Sequence, residues 1–577
     1  MNHRKYKDML YPVRPIADLK DLVDSSAALY ADKPAYYVKD EPGGVYRPVS
    51  YRTAKAEIDA LGTAFIDLGW QGKKIAVIGE NSYEWVLSYC AVTNGTGVCV
   101  PLDRELRAPE IHHLLERAQV SAVIYAKKSE PLIQEAVRGV ASVERLICMS
   151  ELSEIIQRGK ALIAAGDERF IRATIDREAL CAVLFTSGTT GFAKGVMLSH
   201  KNIADNVLNI SRYVKIKENG IGLSVLPMHH SYEMTCHIFT AMYQGCAVAI
   251  CEGLKQIAKN MAEIQATVML GVPLLFESMH KKIWKQAEAS GKADKMRRAI
   301  AVSKKLKLYN RPKLIKRVFK DIHSVTGGCI ENFIVGGAGI NPKVIEDFEA
   351  MGFPMMQGYG MTECAPLIAV NRDRYSKADS VGSALPGTEV RIANPDKAGM
   401  GEILCRGPSV MLGYYSNPKE TAKTLADGWL HTGDLGYFDE EGLLYIAGRV
   451  KDVIVTKNGK NIFPEEVEYY LTEEPYILEA LVHGVPDEKS GDVVVNAGLY
   501  PDYDLIQEEL GDITEEEIKQ LMDEAVDRVN ALMPLFKRVK RFTIRKREFS
   551  KTTTRKIKRR AAENFCEAAG QEEERVK

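Results

Sequence analysis

The sequence has no excess of either charge, since 77 Lys and Arg residues balance 77 Asp and Glu residues. A chain without a global field is not expected to bind nucleic acid or an anionic membrane as a whole, so any such contact must be local. The sequence also lacks an apolar run of the roughly 20 residues that a membrane-spanning helix needs. Its charged first ten residues lack the apolar core of a signal peptide. We therefore expect a cytoplasmic protein without a transmembrane helix.

The cysteines lack the spacings that bind metal or form a disulfide framework. The eleven cysteines occur singly, without a CxxC pair, and most lie in apolar runs, as Cys90, Cys99, Cys181 and Cys251 do. This distribution is typical of reduced, buried thiols that pack as small hydrophobic side chains. It argues against a zinc-binding module or a small secreted domain.

What the chain does have is ordinary globular composition, with 46% hydrophobic and 27% charged residues over 577 positions. That length is too great for one compact core and predicts about three or four structural units. From Lys73 to Ala126, short β-rich runs alternate with helical patterns, and the alternation resumes after Gly188. Such alternation indicates two α/β units with mainly parallel sheets.

A boundary is predicted near residues 449–452, because the sequence after it has a small α+β pattern of its own. We expect a large domain over residues 1–450, a small domain over 451–560 and a charged, fraying tail over 561–577. Within the large domain, residues 281–320 read as helices in which basic residues far outnumber acidic ones. This segment is either a solvated helical face or a basic rim that attracts an anionic substrate or lipid headgroups at a membrane surface.

The most informative stretch is the loop SGTTGFAKG, which follows the apolar strand ALCAVLFT and runs from Ser187 to Gly195. Its glycines allow backbone N–H groups to turn toward an anion, its hydroxyl groups add donors, and Lys194 adds a positive charge. The loop lacks the GxxxxGK[ST] spacing of nucleoside triphosphatases. We interpret it as a phosphate-binding loop, with an ordinary flexible turn as the alternative.

Five further motifs follow this loop. They are GGAGI at 336–340, GYGMTECAP at 358–366, GWLHTGDLGY at 428–437, GRVKDVIVTKNGKNIFPEEVE at 448–468 and KTTTRKIKR at 551–559. In this order the motifs resemble the signature of the acyl-adenylate-forming superfamily, which includes acyl-CoA synthetases, luciferases and the adenylation domains of peptide synthetases. The resemblance covers about residues 30–560 and is greatest to bacterial long-chain fatty-acid CoA ligases.

The resemblance implies an α/β fold with two doubly wound α/β subdomains and a small β-barrel-like subdomain in the large N-terminal region. A small, mobile α+β domain would follow at the C-terminal end. The resemblance also implies ATP, Mg²⁺ and coenzyme A, with CoA as the acyl acceptor.

The resemblance further implies roles for single residues around the phosphates. The β- and γ-phosphates of ATP would be bound by Thr186, Ser187, Gly188, Thr189, Thr190, Gly191 and Lys194. Thr362 would donate to the α-phosphate, and Glu363 would ligate the Mg²⁺ that bridges the phosphates. For an isolated Thr-Glu pair, a helix cap is the alternative.

Around the nucleoside, Asp434 would accept hydrogen bonds from both ribose hydroxyls. Arg449 would lie near the ribose and the α-phosphate. Ala338 and Tyr359 would flank the adenine, although a glycine-rich strand end and a core tyrosine are the alternatives.

Around the acid, the resemblance implies a pocket shaped by His230, Tyr232 and Gly336. For His230, a hydrogen-bonded histidine of the core is an equal alternative to a role beside the substrate.

Near the C-terminal end, Lys556 corresponds to the family's adenylating lysine. This chain has Arg555 before it, where many relatives have glycine, and arginine adopts positive φ less readily. That departure puts the local loop conformation in question. Lys451 would be the hinge about which the small domain turns, and Gly459 would line the path of the pantetheine arm, unless it only completes an Asn-Gly turn.

The reaction needs no general base, because a carboxylic acid is already ionised at neutral pH. It needs cations that reduce the repulsion between the carboxylate and the triphosphate. Three hypotheses remain at this point. The chain is a long-chain fatty-acid CoA ligase, an adenylating enzyme for a separate carrier protein or for another acid, or a nucleotide-binding protein without catalysis.

Overall fold

The computed structural model describes residues 10–186, 193–372, 376–456, 460–487, 492–552, 556–559, 561, 564 and 574–575. Two compact units make up the chain. Unit 1 contains residues 1–390, 405–431 and 439–444, and unit 2 contains residues 391–404, 432–438 and 445–577. The domain boundaries given above stay predictions.

The α-helices of the described residues alternate with strands over most of the chain. They are α1 Leu19–Leu29, α2 Tyr51–Asp67, α3 Tyr83–Ala91, α4 Ala108–Ala118, α5 Glu130–Ala136, α6 Leu152–Ala164, α7 His200–Tyr213, α8 Thr240–Gln244, α9 Ile257–Ile264, α10 Pro273–Ala289, α11 Ala293–Leu306, α12 Pro312–Val318, α13 Lys320–Val325, α14 Pro342–Ala350, α15 Pro418–Thr424, α16 Pro464–Thr472, α17 Tyr503–Leu510 and α18 Glu515–Leu532.

The strands are named in the same way. They are β1 Pro34–Val38, β2 Arg47–Ser50, β3 Lys74–Ile78, β4 Val98–Leu102, β5 Ala122–Tyr125, β6 Arg145–Cys148, β7 Leu180–Thr186, β8 Lys194–Ser199, β9 Ile221–Ser224, β10 Ala247–Ile250, β11 Val268–Gly271, β12 Asn332–Val335, β13 Met355–Gly360, β14 Leu367–Val370, β15 Ser383–Ala384, β16 Glu389–Ala393, β17 Gly401–Arg406, β18 Gly413–Tyr414, β19 Leu425–Ala426, β20 Trp429–Phe438, β21 Leu444–Arg449, β22 Ile454–Val455, β23 Asn461–Ile462, β24 Ile477–Asp487, β25 Asp492–Pro501, β26 Val539–Ile544 and β27 Glu574–Arg575.

Unit 1 contains two large sheets. The seven-stranded sheet has the order β18-β8-β7-β4-β3-β5-β6, and the nine-stranded sheet has the order β15-β14-β13-β12-β11-β9-β10-β1-β2. The central pairs β3–β4, β3–β5, β11–β12 and β12–β13 are parallel. Strand β5 is buried along its whole length, and parallel strands covered on both faces read as continuous apolar runs. This is why the alternation is visible in the sequence.

The smaller sheets occur later in the chain. A five-stranded sheet has the order β16-β17-β20-β19, with β21 paired to β20. In unit 2, β22 pairs with β23, and a four-stranded sheet has the order β24-β25-β26-β27. Helices α16 and α18 pack on this sheet around a core that includes Val467, Leu471, Met522, Val526 and Phe542.

Local chemistry sets several helix starts. The Ser199 hydroxyl accepts a hydrogen bond from the Asn202 backbone N–H at the start of α7, and Thr514 caps α18 in the same way. Gly245 ends α8 in the left-handed region, with φ of 74°.

The predicted α/β class, with a large N-terminal part and a smaller C-terminal part, is confirmed. Among the described residues, no helix combines the length and the apolar character needed to cross a bilayer.

Candidate active site

The ends of β7 and β8 frame the predicted phosphate-binding loop. These strands are antiparallel, and Thr186 at the end of β7 pairs with Lys194 at the start of β8. The Thr186 hydroxyl donates to the Lys194 carbonyl oxygen at 3.4 Å. The loop residues Ser187, Gly188, Thr189, Thr190 and Gly191 lie outside the described residues.

Four side chains of unit 1 form a connected cluster, which we call the Lys194 group: Lys194, Glu363, Tyr414 and Glu420. The Lys194 ammonium group lies 2.5 Å from Glu420 Oε1 and 5.0 Å from the centre of the Tyr414 ring. The Tyr414 hydroxyl donates to Glu363 Oε1 at 2.8 Å. Burial and the charge of Glu363 raise the pKa of Tyr414, so this hydroxyl stays a donor at neutral pH. The cluster therefore links a cation and a carboxylate through a tyrosine.

Thr362 and Glu363 lie in a short 3₁₀ turn, Thr362–Cys364, directly after β13. Both side chains are buried. Within the described residues, Glu363 Oε2 makes no hydrogen bond, so it can bind another group. A carboxylate oxygen is the kind of ligand that Mg²⁺ takes when it also binds substrate phosphates. The part of the chain that the structure describes contains no group of three or more His, Cys, Asp or Glu side chains that could hold a metal ion alone. Glu363 could supply one carboxylate ligand to a Mg²⁺ that is otherwise held by substrate phosphates and water.

An apolar pocket lies at the carboxyl ends of β11, β12 and β13. Its lining residues are Ile210, Val214, Ile216, Tyr232, Cys236, Thr240, Leu270, Ile334, Gly358, Leu367 and Val370. The lining contains no ionisable group other than the Tyr232 phenol and the Cys236 thiol, and burial raises the pKa of both. Its empty space, including the part open to solvent, measures about 410 Å³. The cavity enclosed by the lining side chains measures only about 20 Å³, roughly the room of one water molecule, so a larger ligand requires these side chains to move.

Tyr232, Cys236 and Thr240 line the pocket because they are spaced four residues apart along one face of a helical segment. Residues Tyr232–Phe239 form a π-helix that continues into α8. The Tyr232 hydroxyl donates to the Ile334 carbonyl oxygen at 3.2 Å. A Cβ atom added at Gly336 would lie 3.1 Å from the Tyr232 ring. Predicted pocket residues Tyr232 and Gly336 are thus in contact with each other.

A buried pair on the same π-helix faces away from solvent. Glu233 and His237 are both fully buried, and Glu233 Oε1 lies 2.8 Å from His237 Nδ1. Glu233 Oε2 and His237 Nε2 have no hydrogen-bond partner among the described residues. The His237 ring packs against β9 at Gly222, where an added Cβ would lie 2.1 Å from Nε2. Gly222 is therefore the residue that makes room for this ring.

His230 precedes the π-helix, and its Nδ1 accepts a hydrogen bond from the Tyr232 backbone N–H at 3.2 Å. Burial and the neighbouring His229 lower the pKa of His230 to about 4. Burial likewise lowers the pKa of His229 to about 4, and its Nε2 lies 3.7 Å from Asp103 Oδ2. Both rings are neutral at physiological pH, so His230 contributes no positive charge.

The two residues predicted beside the adenine lie at strand ends. Ala338 is exposed in the turn that follows β12, and Tyr359 is half-buried in β13. Tyr359 is adjacent to the pocket residue Gly358 and precedes Thr362 by three positions. Strand β13 thus contributes to the apolar pocket and leads directly to the Thr362–Cys364 turn.

In unit 2, Asp434, Arg449 and Lys556 form what we call the Asp434 group. Asp434 in β20 accepts a hydrogen bond from Arg449 Nε, at the end of β21, at 2.6 Å. Averaged over all its atoms, Lys556 is exposed to solvent. Partial desolvation of its ammonium group and the nearby charge of Arg449 lower the pKa of Lys556, and Asp434 partly offsets this effect. The structure thus brings together three residues that are far apart in the sequence.

The remaining predicted residues are Lys451 and Gly459. Lys451 is exposed just after β21. Gly459 lies outside the described residues.

Three residues of this site are not predicted from the sequence. Tyr414 lies within the tyrosine-rich segment LGYYSN, and Glu420 follows that segment. Cys405 was missed as well, although its Sγ lies 3.1 Å from Sγ of Cys364, which follows Glu363. No motif marks these residues, because each acts through a partner that is distant in the sequence.

Comparisons with known proteins identify the family of this chain. A sequence model of the family described as AMP-binding enzyme matches residues 23–415, and one described as AMP-binding enzyme C-terminal domain matches residues 451–569. A long-chain-fatty-acid–CoA ligase 1 of Cavia porcellus is 28% identical over 487 residues, which are 77% of this chain and 68% of the relative. A chloroplastic long-chain-fatty-acid–[acyl-carrier-protein] ligase of Arabidopsis thaliana, AEE15, is 27% identical over 558 residues, with 82% and 76% covered.

A solved structure gives the same fold. The crystal structure of the anthranilate CoA ligase AuaEII in complex with anthranoyl-AMP has a TM-score of 0.75 and 20% sequence identity, and the match covers 97% of this chain and 99% of that one.

The chain belongs to the family of AMP-binding enzymes. In class it is an ATP-dependent, adenylate-forming enzyme and an acid–thiol ligase.

Proposed function

We propose that this enzyme activates a long-chain fatty acid as its acyl-AMP and then transfers the acyl group to coenzyme A. The products are acyl-CoA, AMP and pyrophosphate. The observation that carries the proposal is the apolar, uncharged lining of the small pocket between α7, the π-helix and the ends of β11–β13. A pocket without a fixed charge in its lining favours an alkyl chain over a polar or charged acid.

The pocket and the Lys194 group are linked along the chain. Gly358 lines the pocket, and Glu363 follows it by five positions. An acid whose tail lies in the pocket would therefore extend its carboxylate toward the turn that carries Thr362 and Glu363. This arrangement supports the assignment of these two residues to the reacting phosphate.

The chemistry proceeds in two displacements. A carboxylate oxygen of the acid attacks the α-phosphorus of ATP, and pyrophosphate leaves. The CoA sulfur then attacks the acyl carbon of the adenylate, and AMP leaves. We assign Lys194, Thr186, Ser187, Thr189 and Thr190 to the leaving pyrophosphate, Thr362 to the α-phosphate, and Glu363 to the Mg²⁺ that accompanies ATP.

We assign Asp434 and Arg449 to binding of the ribose. We assign Lys556 to reducing the repulsion between the carboxylate and the triphosphate during adenylation. Ala338 and Tyr359 are proposed neighbours of the adenine. His230, being neutral, is proposed to shape the acid pocket without supplying charge. A cytoplasmic location is part of the same proposal.

The alternative acceptor is an acyl carrier protein, because the Arabidopsis relative is named as a ligase to that carrier. Acceptor choice is tested by parallel thioester assays with CoA and with a purified acyl carrier protein. We expect turnover with CoA, and exclusive use of the carrier protein would overturn this part of the proposal.

The substrate is tested with a series of straight-chain acids from acetate to 18 carbons, in which kcat/KM is measured with CoA present. We expect kcat/KM to rise to a maximum at about 12 carbons or more, since each buried methylene contributes roughly 0.8 kcal/mol. A maximum at acetate, at an aromatic acid or at an amino acid would overturn the long-chain assignment.

A pocket variant sharpens this test. Cys236→Phe fills space beside Tyr232 and Thr240, so we expect the preferred chain to shorten while the KM for ATP stays within about twofold. Cys329→Phe is the matched control, because Cys329 is only partly buried and lies outside the pocket lining. An unchanged chain-length profile in Cys236→Phe would show that the acyl chain lies elsewhere.

A further inference from the structure

Helices α11 and α12, and the turn between them, expose a strip of apolar side chains to solvent. The strip consists of Val302, Leu306, Tyr309, Leu314 and Val318, each between 40% and 61% exposed. These five positions lie within residues 302–318. Single exposed apolar residues are normal on a protein surface, but a run of this density is not.

The strip is separate from the side chains that anchor the same helices. Val302 and Leu306 are four positions apart on α11, and Leu314 and Val318 are four apart on α12, so each pair lies on one face. Other positions of the same segment, Ile300, Leu308, Ile315 and Phe319, are buried in the hydrophobic core of this part of unit 1. The helices are thus apolar on two sides, and only one side packs on the protein.

Positive charge surrounds the strip. Residues 281–320 contain 15 Lys and Arg residues but only two acidic residues, Glu288 and Asp294. Five of the basic residues next to the strip are exposed and, within the described part of the chain, make no ion pair: Lys305, Lys307, Arg311, Lys313 and Arg317. Their charges are available to an external anion.

We propose that the strip and its surrounding basic residues form a surface that docks on an anionic lipid bilayer. Apolar side chains insert at the level of the headgroups, while Lys and Arg side chains contact lipid phosphates. A nucleic acid would use the charges but leave the apolar strip in water. The strip is apolar and exposed and its surroundings are positive, which matches the apolar interior and the anionic headgroups of such a bilayer. The inference rests on surface residues alone and does not require the acyl-chain assignment.

The test is binding of the full chain to vesicles in the absence of ATP and acid. Vesicles of phosphatidylcholine are compared with vesicles that contain about 30% phosphatidylserine, by co-sedimentation at low and at high salt. We expect binding to the anionic vesicles and its loss at high salt, because the Debye length falls to about 3 Å at 1 M salt.

Two pairs of variants separate the contributions. Leu306→Ser with Leu314→Ser removes apolar insertion, and Lys307→Ala with Lys313→Ala removes charge. Each basic residue near an anionic surface contributes roughly 1 kcal/mol, which is about fivefold in affinity. We therefore expect each double variant to bind anionic vesicles at least tenfold more weakly. Unchanged unfolding temperatures identify variants that still fold.

Matched controls lie elsewhere on unit 1. Leu29→Ser with Val45→Ser alters two exposed apolar residues, and Arg138→Ala with Lys160→Ala alters two exposed basic residues. We expect both controls to bind vesicles as the unaltered chain does. The proposal is overturned if the unaltered chain does not bind anionic vesicles, which is the result expected if the strip binds an acidic protein instead. Equal losses in the controls would overturn it as well.

Discussion

The Lys194 group and the Asp434 group hold their charges in different ways. In the Lys194 group, Lys194 lies against Glu420, and Glu363 accepts a hydrogen bond from Tyr414. In the Asp434 group, Arg449 is bound by Asp434, but Lys556 makes no ion pair among the described residues and is exposed. A charge fixed by partners suits a contact that persists through the reaction. A cation without such a partner can act in one step alone.

Replacing that unpaired cation should have the largest effect. We expect Lys556→Ala to slow acyl-AMP formation by at least about 100-fold, because the lysine charge no longer reduces the repulsion between the carboxylate and the triphosphate. Thioester formation from supplied acyl-AMP and CoA should stay within about threefold. Pyrophosphate-dependent ATP synthesis from acyl-AMP and thioester formation measure the two steps separately. Lys558→Ala, an exposed lysine two positions away, is the control. Equal loss in both steps would mean that Lys556 is not specific to adenylation.

The fixed carboxylate of the Lys194 group comes next. Glu363→Gln keeps a side-chain oxygen for the Tyr414 hydroxyl but removes the charge that would ligate Mg²⁺. We expect kcat of adenylation to fall by about 30-fold or more and the Mg²⁺ requirement to rise. Tyr414→Phe retains the Glu363 carboxylate, so kcat of adenylation should fall by only about fivefold in this variant. If the tyrosine variant were the more impaired of the two, the metal assignment would be wrong.

The carboxylate of the Asp434 group should affect binding more than turnover. A ribose contact is similar in the ground state and in the transition state, so we expect Asp434→Ala to raise the KM for ATP about tenfold with kcat within about twofold. Asp434→Asn retains one acceptor, so its KM for ATP should lie between that of the unaltered enzyme and that of Asp434→Ala. A fall in kcat at saturating ATP would instead assign Asp434 to the reacting centre through Arg449.

The pKa of Lys556 gives a test by pH. Desolvation and Arg449 lower this pKa, so the ammonium group loses its proton as pH rises through a value below the ordinary lysine pKa of about 10.4. We expect adenylation to decline several-fold on the alkaline side, earlier than an unperturbed lysine would allow. Lys556→Arg, which stays protonated, should flatten this decline even if its rate is lower. An alkaline limb of the same shape in the arginine variant would mean that another group titrates.

The smallest effect is expected where a fixed partner competes with the substrate. Glu420 holds Lys194, so ATP phosphates must displace it to contact the ammonium group. Glu420→Gln should lower the KM for ATP by about threefold. Glu178→Gln breaks the exposed pair of Glu178 with Lys201, at 2.7 Å, and serves as the control. A higher KM in Glu420→Gln would show that Glu420 positions Lys194 for ATP and does not compete with it.

Local patterns were sufficient to predict the alternating strands and helices of unit 1. Strands such as β5 are buried throughout, and their apolar runs, bounded by helices, are visible without any tertiary information. The family motifs likewise marked Thr362 and Glu363, which lie in the turn after β13. They also marked Asp434, which lies within β20, and Arg449, at the end of β21.

Partners across the chain could not be predicted in this way. Glu420 lies 226 positions from Lys194, and Tyr414 lies 51 positions from Glu363. Nothing local to either residue indicates the other. The exposed strip at 302–318 could not be predicted from the sequence either, because the pattern of a helix that is apolar on two faces does not show which face packs inward.

The contact between His237 and Gly222 restricts the order in which this part of the chain can change during evolution. A methyl group at position 222 would overlap the His237 ring, at 2.1 Å from Nε2. Replacing His237 first would leave the Glu233 carboxylate buried without its partner. The expected order of substitutions therefore begins with a neutral residue at position 233. A smaller residue at position 237 follows, and only then can position 222 on β9 carry a side chain. Homologues that carry a residue larger than glycine at this point of the strand should already lack both the glutamate and the histidine.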